Sequence, residues 1–432
     1  MKLDFSPAFT ETLKLLETSP ESYFVTGRAG SGKSTLLSHF KKMSAKNIVV
    51  LAPTGVAAVG IEGATIHSFF GFKPDITLEK AWALGAKTRK PDLYRTLDAI
   101  VIDEISMVRA DLFDCIDAFM RRVCGTTQAF GGKRLLLFGD LYQLPPVVTR
   151  DEGDIYKSRY ETPFFFSADV MTRFNVRLIE LTHVYRQTDS DFLSVLNHIR
   201  DNTVGRDHFS LLNTRVSPEY SPPPEEYVVH LTGTNRDALA YNTYQLNSLD
   251  GEEYQYEAKR SGDFDRRTEP APRSLILKRG AQVMMTNNDK EKRFINGTVG
   301  RVEDMSRVGG DPVVSIRLQN GQLVDIGLNS WEMFTFSYNP LTRKIVSEVA
   351  GTYTQLPLML AWSVTIHKSQ GKTFDRVIID LPRSFAHGQT YVALSRATSL
   401  AGLILHRPIT PRHIIMDPVV TTWLSSLKAL SK

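Results

Sequence analysis

The segment GRAGSGKS at residues 27–34 constrains the fold of this chain more than any other feature. It fits the pattern G-x-x-x-x-G-K-[ST], a P-loop whose glycines let backbone N–H groups surround phosphates at the positive end of a helix. The apolar run YFVT precedes it, and Leu36, Phe40 and Met43 follow it at helical spacing. The sequence therefore predicts a strand, a phosphate-binding loop and a helix, as in an α/β domain.

The P-loop residues have separate predicted roles in binding ATP. The Lys33 side chain is expected to reach the β- and γ-phosphates, and the Ser34 hydroxyl is expected to hold Mg²⁺. Backbone groups of the other positions are expected to surround the phosphates. The predicted ATP-binding residues of this loop are Gly27, Ala29, Gly30, Ser31, Gly32, Lys33, Ser34 and Thr35.

Polar side chains follow two further apolar strands. In VIDEIS at 101–106, Asp103 is expected to hold the Mg²⁺ shell, and Glu104 is expected to orient and deprotonate the attacking water. In LFGDLYQLPP at 137–146, Gln143 is expected to contact the γ-phosphate or the water. An acidic pair at a strand end is common, so these catalytic roles depend on the P-loop that precedes them.

Apolar, β-branched runs alternate with helical patterns, which predicts doubly wound α/β domains. The predicted parallel strands form a first set at 23–26, 48–52, 99–103 and 134–138, and a second set at 178–181, 227–231, 358–364, 376–380 and 403–405. From about 247 to 355 the segments are charged and glycine-punctuated, with period-two alternation at Val314, Ile316 and Leu318. This pattern predicts a small antiparallel barrel inserted into the second α/β domain.

Composition narrows the class of protein further. A chain of 432 residues corresponds to about three domains of typical size. The formal charge of +5 and the pI of about 9.0 favour an anionic partner only weakly. The two cysteines, Cys115 and Cys124, lack the spacing of a metal site or a disulfide framework. No apolar stretch reaches the ~18–20 residues of a bilayer span, and the start lacks a signal-peptide pattern, so we expect a cytoplasmic protein.

The order of the motifs resembles that of the superfamily 1B helicases. After the P-loop and VIDEIS come GDLYQLPP, the Tyr-Arg pair of LTHVYRQ at 181–187, TIHKSQG at 365–371 and YVALSRA at 391–397. These strings are most similar to the PIF (petite integration frequency) family, with RecD and Dda proteins as relatives. The resemblance implies two RecA-like domains in tandem, with a small β wedge called 1B and an inserted SH3-like barrel called 2B. The implied boundaries are 1–177 for domain 1A (wedge at about 65–90), 178–246 plus 356–432 for domain 2A, and 247–355 for 2B.

The same resemblance implies further site residues. Arg186 and Arg396 match the arginine fingers, whose cations stabilise the charge of the transferring phosphoryl group, and Gly371 matches a nucleotide-contacting position. In the family, ATP is hydrolysed between the two RecA-like domains. Small side chains that donate hydrogen bonds, a lysine and a phenylalanine lie in segments that match the family's strand-binding loops. The residues expected to contact nucleic acid are Pro53, Thr54, Gly55, Thr65, His67, Ser68, Phe69, Asn235, Thr365, His367 and Lys368.

The function implied by this resemblance is that of an ATP-dependent 5′→3′ DNA helicase. Such a protein moves on single-stranded DNA and unwinds duplexes and other structures such as G-quadruplexes, with ATP and Mg²⁺. The expected partners are single-stranded DNA and junctions of single- and double-stranded DNA, with no membrane. We expect a monomer associated with the nucleoid, and the family contributes to DNA repair, recombination and telomere maintenance.

Three alternatives stay open at this point. The chain could be a nucleic-acid-stimulated ATPase that remodels complexes without separating strands. It could also be an RNA helicase of the same superfamily, since contacts to phosphates do not distinguish RNA from DNA. A binding module with a degenerate ATPase core is disfavoured by the intact Lys33, Asp103 and Glu104. One departure concerns adenine: many superfamily 1 helicases have a glutamine before the P-loop, whereas the first glutamine here is Gln128. Adenine selectivity then comes from other groups, such as the backbone near Phe5 to Phe9, or is loose.

Overall fold

The computed structural model describes residues 7–148, 156, 158–183, 189–382, 384 and 386–430. Contacts divide the chain into two compact units. Unit 1 comprises Met1–Tyr185, Glu332–Gly351 and Asp417–Lys432, and unit 2 comprises Arg186–Trp331 and Thr352–Met416. Among the described residues, no helix has both the length and the apolar character needed to cross a membrane.

Unit 1 is built on a six-stranded parallel sheet. Its strand order is β3-β2-β4-β5-β1-β6, so the first strand of the chain lies between β5 and β6. Five of these strands are buried over all or nearly all of their length, as is usual when helices cover both faces of a sheet. The strands are β1 Tyr23–Gly27, β2 Ile48–Ala52, β3 Ala64–Thr65, β4 Ala99–Ile102, β5 Arg134–Phe138 and β6 Arg177–Leu181.

Eight helices belong to the described part of unit 1. They are α1 Pro7–Thr18, α2 Lys33–Met43, α3 Gly55–Gly60, α4 Ile66–Phe70, α5 Leu78–Lys87, α6 Pro91–Arg95, α7 Ala110–Cys124 and, at the carboxyl end, α12 Pro418–Leu430. Trp423 of α12 stacks on Phe166 with ring centroids 4.8 Å apart. The C-terminal helix therefore completes the core of unit 1.

The thiol of Cys115 on α7 is buried, which raises its pKa to about 12.

Unit 2 contains a four-stranded parallel sheet in the order β18-β7-β19-β20. Its strands are β7 Val229–Thr232, β18 Ser363–Thr365, β19 Val377–Ile379 and β20 Leu403–Leu405. The helices of this unit are α8 Ser190–Arg200, α9 Arg206–Asn213, α10 Asn235–Asn247 and α11 Gln389–Leu394.

Antiparallel strands fill the predicted insert. A five-stranded sheet has the order β14-β13-β12-β11-β17, and smaller sheets have the orders β10-β8 and β15-β16-β9. The hairpin between β12 and β13 turns at Gly309 and Gly310, whose φ angles of 61° and 92° are those of a tight two-residue turn. The strands are β8 Tyr254–Glu257, β9 Lys259–Gly262, β10 Ser274–Leu277, β11 Gln282–Met285, β12 Val299–Val308, β13 Asp311–Leu318, β14 Leu323–Ile326, β15 Asn329–Asn339, β16 Lys344–Gln355 and β17 Leu358–Leu360.

These sheets confirm the predicted fold class of two parallel-sheet α/β domains with an antiparallel β insert. The predicted boundary before residue 178 is wrong for β6, because Arg177–Leu181 pairs with β1 in the first sheet. The predicted single strand 358–364 is two strands. Residues 358–360 pair with β11 in the antiparallel sheet, and 363–365 pair with β7 in the parallel sheet.

Residues 66–70 and 78–87 form the helices α4 and α5, and only Thr65 of the segment 65–90 belongs to a strand, so the prediction of a β wedge there is wrong. Thr65 and Thr77 cap α4 and α5, since each hydroxyl oxygen accepts a hydrogen bond from a backbone N–H three residues on. The rings of Phe70 on α4 and Tyr94 on α6 then pack against each other and against Phe119 of α7. The capping hydrogen bonds and the ring contacts stabilise helices in this segment, where the resemblance predicted strands.

A long hairpin of the insert groups with unit 1 through residues 332–351. The Lys90 ammonium donates to the carbonyl oxygen of Phe336 at 3.2 Å, and the Phe336 ring meets the ring of Phe69 edge-on at 5.8 Å. Nearer the turn, the Asn47 side chain donates to the carbonyl oxygen of Arg343 at 3.1 Å. The predicted insert 247–355 therefore contributes residues to both units.

Candidate functional site

The P-loop leaves β1 and opens α2, as the sequence predicts. Gly30 and Gly32 have φ angles of 81° and 88°, which L side chains rarely adopt. A Cβ on Gly27 would lie 2.6 Å from the carbonyl oxygen of Leu181, so only glycine fits beside β6. The Lys33 ammonium donates to the carbonyl oxygens of Gly27 at 2.7 Å and Arg28 at 3.1 Å, which draws the side chain back over the loop. The loop thus has the shape and the cation that phosphate binding requires.

Asp103 lies at the end of β4, the second strand from β1 in the sheet. Its backbone N–H donates to the carbonyl oxygen of Leu51 at 2.8 Å, and its side chain is buried. Burial raises the pKa of Asp103 to about 6, whereas a backbone hydrogen bond at Glu104 and the Lys33 ammonium lower it. A buried carboxylate close to the P-loop lysine is a suitable ligand for a hard cation beside phosphate.

Glu104 adopts a left-handed backbone conformation, with φ 49° and ψ 43°. This conformation costs a non-glycine residue on the order of 1–3 kcal/mol and is concentrated at functional sites. The neighbouring β5 exit packs tightly against the turn that follows, because a Cβ on Gly139 would lie 2.9 Å from the Ile105 side chain. The packing around this turn therefore maintains the strained conformation of Glu104 after Asp103.

Gln143 is buried in the loop after β5. Its side-chain amide donates to the Asp140 carboxylate at 3.2 Å, and its backbone N–H donates to the Asp140 carbonyl oxygen at 3.0 Å. The other carboxylate oxygen of Asp140 accepts from the Tyr142 N–H at 3.2 Å. Sequence reasoning gave Asp140 no role, although its spacing of three residues from Gln143 was the available signal. Asp140 is a positioning residue for the Gln143 amide.

Arg396 is buried in unit 2, where it connects α11 to the TIHKSQG segment. Its guanidinium donates to the carbonyl oxygens of Val392 at 2.8 Å, Ser369 at 3.1 Å and Lys372 at 3.0 Å. Gly371, in the same loop, has a φ angle of 79°. These contacts fix both the arginine and the loop, and the finger role of Arg396 stays a prediction. The second predicted finger, Arg186, lies outside the described residues.

The predicted strand-binding residues of unit 1 follow β2 and β3. The Thr54 hydroxyl oxygen accepts from the Ala57 N–H at 3.3 Å, and that of Thr65 accepts from the Ser68 N–H at 3.1 Å. Each capping hydroxyl keeps its own hydrogen for donation. Pro53 precedes Thr54 in the loop after β2, Gly55 begins α3, and His67 lies in the first turn of α4.

Phe69 does not lie on an open surface. Its ring is 7% exposed and packs edge-on against Phe70 and Tyr94, with centroids 5.0 Å and 5.3 Å apart. Because neighbouring rings cover it, the structure gives no support to the prediction that Phe69 stacks on bases. Phenylalanine is more often core than surface, and only the tertiary contacts decide a particular case.

The predicted strand-binding residues of unit 2 lie at the ends of two neighbouring parallel strands. Asn235 is exposed and begins α10 after β7, whereas His367 and Lys368 are exposed after β18. Thr365 is buried, and its hydroxyl oxygen accepts from the Lys368 N–H at 3.2 Å. Desolvation lowers the pKa of His367. Parallel strands end at one edge of the sheet, which brings these loops together.

In unit 1, the P-loop, Asp103, Gln143 and the threonine loops all leave the carboxyl edge of one parallel sheet. Ligands of open α/β sheets bind at this edge. Together with the second parallel sheet, the site defines a P-loop nucleotide hydrolase of the tandem RecA-like class.

Comparison with known proteins agrees with this class. Residues 8–207 match the PIF1-like helicase family, and residues 360–404 match the UvrD-like helicase C-terminal domain. The chain is 33% identical to the ATP-dependent DNA helicase Pif1 of Bdellovibrio bacteriovorus, over 99% of this chain and 93% of that protein. It is 37% identical to the mouse ATP-dependent DNA helicase PIF1, over 89% of this chain and 57% of the mouse protein.

Solved structures of a Bacteroides Pif1 have the same fold. The complex with ADP-AlF4 has a TM-score of 0.90 at 35% identity and covers 98% of this chain and 97% of that chain. The structure bound to single-stranded DNA has a TM-score of 0.66 at 34% identity with the same coverage. The chain belongs to the Pif1 family of ATP-dependent DNA helicases. The resemblance stated from the sequence is confirmed.

Proposed function

We propose that this Pif1-family helicase moves 5′→3′ on single-stranded DNA and separates strands at junctions with duplex. The observation that carries the coupling of ATP to movement is the hydrogen bond from the Asp103 N–H to the Leu51 carbonyl oxygen, 2.8 Å long. Leu51 lies two residues before Pro53, where the first strand-binding loop begins. A change in the position of Asp103 is therefore transmitted to that loop through a single hydrogen bond.

Hydrolysis uses residues at the carboxyl edge of the first sheet. The P-loop N–H groups and Lys33 bind and orient the phosphates of ATP, and Glu104 accepts a proton from the attacking water. Gln143, held by Asp140, orients that water or the γ-phosphate. Ser34 and Asp103 offer a hydroxyl and a carboxylate, oxygen donors of the kind that Mg²⁺ prefers, and would hold the ion; when bound, it would neutralise phosphate charge.

Strand binding uses the loops after β2, β3, β7 and β18. Threonine hydroxyls and Lys368 contact phosphates, which positions a strand without reading its sequence. The Bacteroides relative has been solved bound to single-stranded DNA, which supports the same substrate for this chain. We include duplex junctions and G-quadruplexes among the structures it opens, and we propose that it acts as a monomer.

Polarity is tested with duplexes that carry a single 5′ or a single 3′ tail. We expect ATP- and Mg²⁺-dependent strand displacement only from the 5′-tailed substrate, with Lys33→Ala as the inactive control. Displacement only from the 3′ tail would overturn the proposed direction.

Substrate is tested by the ATPase rate with single-stranded DNA, single-stranded RNA, duplex and a folded G-quadruplex. Single-stranded DNA is expected to stimulate most. Equal or greater stimulation by RNA, or stimulation without strand displacement, would favour the RNA helicase or the remodelling ATPase instead.

A further inference from the structure

Lys372 directly follows the TIHKSQG segment, in a loop whose backbone is fixed from inside the protein. Its N–H donates to the Ser369 carbonyl oxygen at 2.9 Å, and Arg396 donates to the carbonyl oxygens of both Ser369 and Lys372. The Lys372 side chain therefore starts from a rigid anchor. No motif of the sequence assigns it a role.

The aliphatic stem of Lys372 lies along a turn of the insert. A Cβ on Gly297 would come within 3.1, 3.2 and 3.4 Å of the Cβ, Cγ and Cδ atoms of Lys372. Gly297 has a φ angle of 99°, so glycine is required there for its backbone conformation as well as for this close approach. The turn and the rigid loop together restrict where the ammonium group can lie.

The charged groups that act on this ammonium are cations. Burial, with smaller contributions from Arg396 and Lys368, lowers the pKa of Lys372 to about 8. Among the described residues, neither the Lys372 nor the Lys368 ammonium forms a hydrogen bond or an ion pair. The buried Lys278, in contrast, lies 3.4 Å from the Glu253 carboxylate.

The partly buried Lys372 ammonium is unfavourable beside two other cations, Lys368 and Arg396, because no carboxylate of the described residues pairs with it. An anion bound against them removes that repulsion. Lys368, His367 and Thr365 are expected to contact the strand, whereas Gly371 and Arg396 are expected to contact the nucleotide. Because Lys368 is the neighbouring cation that is exposed, we take a phosphate of the bound strand as the anion, and a phosphate of ATP is the alternative that the test must separate.

We propose that Lys372, with Lys368, binds a backbone phosphate of single-stranded DNA beneath the Asn296–Gly297 turn of the insert. This proposal rests on the proposed strand-binding function and adds a specific contact to it. The contact gives no base selectivity, because it involves phosphate alone.

The test compares wild type with Lys372→Met, which keeps the stem and removes the charge, and Lys372→Arg, which keeps the charge. Lys14→Met, on the exposed face of α1, is the matched control for losing one lysine. Binding of a labelled oligothymidylate is measured by fluorescence anisotropy across a salt series. For Lys372→Met we expect the slope of log affinity against log salt to lose about 0.7 and affinity at moderate salt to fall roughly fivefold. Lys372→Arg and Lys14→Met are expected to match wild type.

Binding of a fluorescent ATP analogue is the second readout, and it is expected to be unchanged in Lys372→Met. A normal salt slope in Lys372→Met and in Lys372→Gln, both shown to be folded by circular dichroism, would overturn the proposal while leaving strand binding by wild type intact. Weaker nucleotide binding with a normal salt slope would also overturn it, by assigning Lys372 to a phosphate of ATP. If wild type itself fails to bind the oligonucleotide, the proposed function and this contact fall together.

Discussion

The side-chain amide of Gln143 donates a hydrogen bond to the carboxylate of Asp140 across 3.2 Å, within a loop where both residues are buried. The amide of Gln143 is therefore oriented by a neighbour that the sequence left unassigned. An oriented amide near reacting groups contributes to catalysis only while its support is present.

We expect Gln143→Ala to lower kcat by about 10²-fold and Asp140→Ala by about tenfold, since the first removes the group and the second loosens it. KM for ATP should change little in either variant. Steady-state ATPase assays with saturating single-stranded DNA give both constants. Asp140→Asn keeps the shape and an acceptor, so it should retain more activity than Asp140→Ala. An effect of Asp140→Ala on KM alone would show that this residue supports nucleotide binding.

Lys33→Ala should abolish ATP hydrolysis and leave binding of single-stranded DNA close to wild type. The reason is that the Lys33 ammonium lies over the P-loop, where it donates to Gly27 and Arg28, whereas the strand-binding loops follow other strands. ATPase assays and fluorescence anisotropy are run on the same preparation. Hydrolysis near the wild-type rate in this variant would remove the P-loop lysine from the mechanism.

Arg396→Ala should have two separable effects. The family role predicts a fall in kcat of about 10³-fold or more, with little change in ATP affinity. The structure adds a loss of stability, because the carbonyl oxygens of Val392, Ser369 and Lys372 each lose a hydrogen bond. Those of Val392 and Ser369 keep a second donor, whereas the Lys372 carbonyl loses the donor it has, and an acceptor left unpaired in the interior costs about 1–3 kcal/mol.

Single-turnover ATPase measures the first effect of Arg396→Ala, and urea unfolding measures the second. Arg186→Ala is the companion variant and is expected to reduce kcat in the same way. A destabilised Arg396→Ala that hydrolyses ATP normally once folded would make this arginine purely structural.

Stability should fall in mild acid through His230 on β7. Burial, with a smaller contribution from His406, lowers the pKa of His230 to about 4, although Asp380 opposes the shift. The ring also meets Tyr241 edge-on. Between about pH 6.5 and pH 4 the unfolded chain binds a proton at this position that the folded chain excludes. The free energy of unfolding therefore decreases as the pH falls through that window, by on the order of 3 kcal/mol for this group.

Urea unfolding of wild type and His230→Gln at several pH values checks this. The difference in unfolding free energy between the two proteins should change between pH 6.5 and pH 4 and be constant above pH 7. Parallel pH profiles would show that His230 does not resist protonation in the folded state.

Local patterns determined the parts of this protein that depend on near neighbours in the chain. The P-loop, the strands ending at Asp103 and before Asp140, and the turn at Gly309 and Gly310 could be predicted, because strand periodicity and glycine conformation act over a few residues. The family resemblance added Arg396 and the loops after β7 and β18 to the predicted site, since short motifs in a fixed order can be recognised in a single sequence.

Pairing and burial between distant segments were decided by the tertiary structure alone. The sequence of Arg177–Leu181 does not indicate which sheet it joins, because a short, largely apolar run fits a strand of either parallel sheet. Its pairing with β1 follows from what lies beside it. Phe69 is covered by Tyr94 and Phe336, and Lys372 meets Gly297 and Arg396, all of them far away in the chain. Whether a ring is core or surface, and whether a lysine has a partner, depends on the desolvation and charge produced by such distant neighbours, which only the folded chain brings together.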